Sequence, residues 1–253
     1  MKKIDYVIKS WEKEKKLLLD SIEYNPNFII KKLPMFIERL SNKEDVIYGY
    51  DTLAFEYGIF AHQYYFAFED IESFKGYYYL SAKATEMCYK LHEKGVKSII
   101  SGKIESNLKG RTNADRALLS GDKELALRLA TKKSVIGNMI LQNYEEARKY
   151  VELENSNKNF QAMQLSIIER DEKKLKKHLE NRIRIVRREA KLGLTDIDRF
   201  GLSILKLAKM RGMNCDIYVA ELPLVLLEDV PVDCTKWKLP IPENVQKILE
   251  WEF

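Results

Sequence analysis

Apolar residues recur at helical spacing along most of this chain. Ile4, Val7, Ile8, Trp11, Leu18 and Ile22 place one stripe along a helix over residues 2–22. Asn25-Pro26 opens a second helix that runs to Leu40, bent or divided at Pro34. Over 44–69, Tyr50, Leu53, Tyr57, Phe60, Tyr64 and Phe68 step by three or four. Tyr48, Phe55, Ile59 and Phe66 fill much of the remaining circumference, which predicts a buried helix. Tyr77-Tyr78-Tyr79 opens another, with Leu80, Ala84, Met87 and Leu91 on one face and Gly95 as its C-cap. Residues 101–112 read as a loop, with Thr112 or Asn113 capping the helix that follows.

Three later turns resemble one another. Residues 121–126, 142–147 and 170–175 each follow one apolar helical stretch and open the next. Each has the look of the inter-helix turn of a tetratricopeptide-type hairpin, with Ala126, Ala147 and Leu175 at the position that packs into the preceding helix. Their unequal spacing rules out a regular solenoid. Residues 171–191 form the most polar helix, with Leu175, Leu179, Ile183, Val186 and Ala190 as its buried stripe. Thr195-Asp196-Ile197-Asp198 has the pattern of an N-cap with an acidic first turn. The helix it opens passes through Phe200, Ile204, Leu207 and Ala208 and stops at Gly212. Leu222-Pro223 starts a brief apolar helix, and Glu243 to Trp251 a last one.

The expected fold is therefore all-α: an irregular stack of antiparallel helical hairpins, tetratricopeptide-like in places, with a short irregular C-terminal tail. It is read as a single helical domain over residues 1–253. Aromatic-rich helices make up 1–100, the hairpin region 112–230 and an acidic tail 231–253.

Composition narrows this picture. Gly 11 and Pro 6 in 253 residues fall below usual levels, which argues against a turn-rich all-β chain. A 45% hydrophobic content is too high for disorder. Residues 48–79 hold thirteen of the aromatic side chains, better read as the hub of a helical core than as a ligand cage. The net charge of +5 is unevenly spread. Residues 171–191 carry nine basic and four acidic side chains, while 213–253 carry eight acidic and three basic ones. The first stretch reads as a solvated helix face laced with intrahelical pairs such as Glu180–Arg184, or as a contact surface for an acidic partner. As a contact surface it puts forward Lys177, Arg184, Arg187, Arg188 and Lys191. The acidic tail is the other candidate face.

Candidate chemistry is sparse. Cys88, Cys215 and Cys234 are too scattered for a disulfide framework or a zinc site and read as reduced, buried thiols. His62, His92 and His178 make no helical metal pair. Cys88 and His92 stand four residues apart, without the base and oxyanion pocket that a thiol nucleophile needs. Lys109-Gly110-Arg111-Thr112 looks like the end of a phosphate loop but lacks the upstream glycine. No catalytic, cofactor-binding or metal-binding residue is assigned, and no enzyme is expected. The basic N-terminus has no apolar run behind it and the longest apolar run is near 222–227. Neither a signal peptide nor a membrane span is expected, and the location expected is the cytoplasm.

Two stretches carry a family resemblance. One is the 114–130 hairpin with its Leu118-Leu119-Ser120-Gly121-Asp122 turn. The other is Asp196-Ile197-Asp198-Arg199-Phe200, then Leu205-Lys206-Leu207-Ala208-Lys209-Met210-Arg211-Gly212, then Tyr218 and Leu222-Pro223-Leu224-Val225-Leu226-Leu227. An aspartate-led helix ending in Ala-x-x-Arg-Gly before a Leu-Pro-x-x-Leu-Leu helix resembles the immunity protein 49 family of bacterial polymorphic toxin systems. The resemblance covers mainly residues 112–230. It implies an all-α protein that binds and neutralises a cognate protein toxin, with no catalytic residues and with Gly212 and Pro223 in structural roles. The alternative is a helical-repeat adaptor or regulator that binds a peptide or protein. Nucleic acid is the less favoured partner, and the oligomeric state is left open.

Overall fold

The computed structural model describes residues 46–98, 100–109, 114–130, 134–153, 158–189, 197–215, 217–219, 221–230 and 232–250. The helices expected over 2–22 and 25–40, the Gly110–Asn113 stretch, Ala190, Lys191, Thr195, Asp196 and Trp251 lie outside them. The described residues are all-helical and contain no strand. In chain order the helices are α1 (Val46–Phe68), α2 (Ile71–Glu93), α3 (Ser101–Lys109), α4 (Ala114–Ser120), α5 (Lys123–Leu129) and α6 (Val135–Ile140). They continue with α7 (Tyr144–Leu153), α8 (Lys158–Ile168), α9 (Glu172–Glu189) and α10 (Arg199–Met210). A single 3-10 turn, Leu224–Leu227, and α11 (Glu243–Glu250) complete the set. The loop expected over 101–112 is thus helical through Lys109: polar side chains and one glycine there hid a short helix.

Four hairpin turns share one construction. Glu69, Gly121, Gln142 and Arg170 have positive φ angles of 54°, 96°, 59° and 56°. The residue after each is Asp70, Asp122, Asn143 or Asp171. Its side chain accepts the backbone N–H three residues on, at 2.9, 2.8, 3.4 and 2.9 Å. Its carbonyl accepts the N–H of Phe74, Ala126, Ala147 or Leu175, and all four of those side chains are fully buried. One left-handed residue ends a helix, and the Asx side chain satisfies an orphan donor of the next. Three of these turns are the ones singled out in the sequence. The fourth corrects the start of α2, which begins at Ile71 under an Asp70 cap rather than at Tyr77.

The described residues divide into two compact units. Residues 46–129 with 232–250 form one of them. Its centre is the α1–α2 hairpin, where Tyr50, Tyr57, Phe60, Phe66, Phe74 and Tyr78 are buried together. His62 Nε2 lies 2.5 Å from the Tyr78 hydroxyl, a satisfied histidine in an aromatic setting. Phe55 and Phe68, expected within that buried helix, are exposed. The 232–250 segment returns to this unit as a strap. Tyr50 Oη donates to Pro240 O at 2.9 Å, and the Trp237 indole lies so close to Gly76 that any side chain there would overlap it.

Residues 130–230 form the other unit. It comprises the α6–α7 and α8–α9 hairpins, α10 and the 3-10 turn. Its core holds Met139, Ala147, Met163, Ile167, Leu175, Leu179, Leu202, Leu205 and Leu226.

Candidate partner-binding face

One side of α9 is apolar: Leu175, Leu179 and Ile183 are buried and Val186 is half-buried. The other side carries Lys173, Lys177, Arg184 and Arg188, all exposed. Their spacings of four, seven and four residues put them in one line along the helix, about 22 Å long. None of the four forms an ion pair among the described residues.

Lys176 is exposed too and forms no ion pair among the described residues, whereas three further cations of this helix are compensated. Lys174 pairs with Asp171 at 3.2 Å and with Glu169 at 3.6 Å. Arg182 donates through Nε and Nη2 to the two oxygens of Asp198, at 2.9 and 3.0 Å. Arg187 grips Glu221 in the same way, at 2.5 and 3.0 Å. Hydrogen bonding to Glu221 raises the Arg187 guanidinium above its ordinary pKa. Of the five contact residues assigned from sequence, Lys177, Arg184 and Arg188 therefore share the uncompensated line. Arg187 is a clamp, and Lys191 lies outside the described residues. The expected Glu180–Arg184 pair is not formed: Glu180 is exposed and makes no ion pair among the described residues.

The clamps hold α9 to the segments on either side of α10. Asp198 N donates to Glu221 O at 2.9 Å, so the two buried carboxylates sit on adjoining backbone. Asp198 occupies the N-cap position of α10 but makes no side-chain cap bond. Its carboxylate is turned to Arg182 instead, and it stands just before the helix, which begins at Arg199, rather than in the acidic first turn read from sequence. Gly201 is required there, because a Cβ would come within 2.7 Å of both Asp198 Oδ2 and Leu222 Cδ2. Buried Lys206 donates to Leu227 O at 2.7 Å and to Asp229 Oδ1 at 2.5 Å. Arg211 donates to Ile168 O at 2.7 Å, satisfying the end of α8. Its guanidinium lies 3.4 Å over the Tyr144 ring. Asp198, Lys206, Arg211 and Leu222 are thus framework residues of the 130–230 unit.

Glu221 and Asp229 were read as members of an acidic face. They are ion-paired within the 130–230 unit, whereas 232–250 belongs to the other unit. Those two carboxylates are therefore compensated within that unit. Glu221 and Asp198 were missed as clamp residues because their partners lie 34 and 16 residues away, beyond any local pattern.

No nucleophile–base pair comes together at Cys88 and His92. The Cys88 thiol is buried with Sγ 3.5 Å from Ile47 O, and burial pushes its pKa well up. His92 Nε2 lies 4.0 Å from Glu105 Oε1. Cys234 is exposed and Cys215 half-buried, contrary to the expectation of buried thiols. Among the described residues no His, Cys, Asp and Glu cluster could hold a metal ion, and no helix is long and apolar enough to cross a membrane. The chain matches no family model, no curated protein and no solved structure.

Proposed function

We propose that this chain is a cytoplasmic immunity protein that neutralises a cognate bacterial toxin by protein–protein contact, through the exposed line of α9. The observation that carries this reading is the uncompensated set Lys173, Lys177, Arg184 and Arg188 on a helix clamped by Arg182–Asp198 and Arg187–Glu221. A rigid helix with unpaired charges suits fast, selective association with a surface of opposite sign. The resemblance of residues 112–230 to the immunity protein 49 family supplies the kind of partner. The reading needs no catalytic residue and no cofactor.

The test is protection in cells. The chain is co-expressed with the toxin-like product of the adjacent gene, as wild type and as Lys177→Glu/Arg184→Glu/Arg188→Glu. Wild type protects and the triple variant, still folded, does not. No protection by wild type removes the reading; equal protection by both removes the α9 assignment.

A second reading is a helical-repeat adaptor with tetratricopeptide-like stacking. The shared turn at Gly121-Asp122, Gln142-Asn143 and Arg170-Asp171, with fully buried Ala126, Ala147 and Leu175, favours it. It predicts capture of an extended peptide that the triple variant still binds.

A further inference from the structure

The basic line of α9 is interrupted once. Glu180 stands three residues after Lys177 and four before Arg184, on the same exposed side of the helix. It is solvent-facing and forms no ion pair among the described residues, although three cations lie within helical reach of it. The other carboxylates around α9 whose side chains are described are engaged: Asp171 by Lys174, Glu169 by Arg148 and Lys174, Asp198 by Arg182 and Glu221 by Arg187. Glu172 accepts the Asn214 N–H. Glu180 is thus a negative charge left open among five positive charges left open, Lys173, Lys176, Lys177, Arg184 and Arg188.

Two kinds of partner respond to that arrangement in opposite ways. A nucleic acid presents closely spaced charges of one sign, so a strand lying along α9 would bring phosphate against Glu180. A protein surface can place carboxylates opposite Lys177 and Arg184 and a basic side chain between them. Unlike charges then meet at every position, while a uniform polyanion suffers one repulsive contact at the centre.

We infer that Glu180 sets partner specificity on this face: it selects a protein surface whose carboxylates bracket one basic side chain, and it rejects a continuous polyanion. The inference deepens the proposed toxin-binding role of α9 and rests on it for the partner's identity, but not for its chemistry.

The experiment uses the full chain with three labelled probes. Two are short helical peptides with glutamates spaced four, seven and four residues apart, one with lysine and the other with glutamate between the middle pair. The third is a single-stranded DNA oligonucleotide. Fluorescence anisotropy is read at several salt concentrations for wild type and Glu180→Lys. Wild type should prefer the lysine-centred peptide several-fold over the all-glutamate one, and Glu180→Lys should reverse that order. Glu180→Lys should also bind the oligonucleotide more tightly than wild type, with a log Kd against log salt slope steeper by about one. Equal binding of both peptides, or an oligonucleotide that wild type binds best and the variant does not bind better, overturns the inference. Loss of peptide discrimination with toxin protection intact would leave the proposed function standing. Discrimination without any neutralised toxin would remove that function and keep the inference.

Discussion

Arg187 closes a two-point pair on Glu221, joining a half-exposed guanidinium to a carboxylate that is only 2% exposed. The pair fixes which charges of α9 are free. Removing Arg187 would leave Glu221 buried without its counter-ion, a change that costs far more than losing a solvated charge. Arg187→Ala is expected to lower stability by about 2–3 kcal/mol, since water can reach part of the site. Arg184→Ala and Arg188→Ala should stay within about 0.5 kcal/mol of wild type. Urea midpoints check this. A similar loss for all three would mean that Arg187 is not distinct from its neighbours.

The repeated turn makes a prediction at Gln142. Its φ of 59° lies in the left-handed region, which disfavours a side chain and suits glycine. Gln142→Gly is expected to raise stability by about 0.5–1 kcal/mol, and Gly121→Ala, at φ 96°, to lower it by at least that much. Thermal unfolding of both variants gives the signs.

Gln164 is fully buried, and neither its amide oxygen nor its nitrogen has a hydrogen-bond partner among the described residues. Burying unsatisfied polar atoms opposes folding. Gln164→Met keeps the shape and removes both atoms, so it should stabilise the chain by about 1–2 kcal/mol. A destabilised variant would show that the amide is satisfied in solution.

Acid sensitivity should centre on Glu86. Burial acts to raise its carboxyl. Hydrogen bonds from Lys83 and Arg128, with the charges of Lys83 and Lys90, outweigh that and hold it below the ordinary 4.5. A depressed carboxylate contributes stability above its unfolded pKa and loses it as pH falls through the folded one. The stability gap between wild type and Glu86→Gln should therefore be largest at neutral pH and narrow as pH drops below about 4.5. A gap that does not change with pH would contradict this assignment.

These features differ in how legible they were in the sequence. The buried side of α9 was visible because Leu175, Leu179 and Ile183 recur at the helical period, and burial of that stripe follows from it. Three of the four shared turns were visible because an Asp or Asn stands just before each new helix. The turn at Glu69-Asp70 was not, since a run of aromatics on both sides masks it. The clamps were hidden for another reason. Arg187 finds Glu221 and Arg182 finds Asp198 only after the chain folds back, and a single charged residue carries no periodic trace of so distant a partner. Asp198 was read as part of an acidic first turn because acidic residues favour helix starts; the helix begins one residue later, and a guanidinium takes the carboxylate.

If the open charges of α9 meet the partner, as proposed, they set how fast it associates. The most direct measurement is the association rate of the purified protein with the toxin-like product of the adjacent gene, for wild type and Arg184→Glu/Arg188→Glu, across a range of salt. Association should be slowed by about 10–100-fold in the variant at low salt, with a gap that shrinks as salt rises and with unchanged thermal stability. Equal association rates for the two proteins at low salt would contradict it.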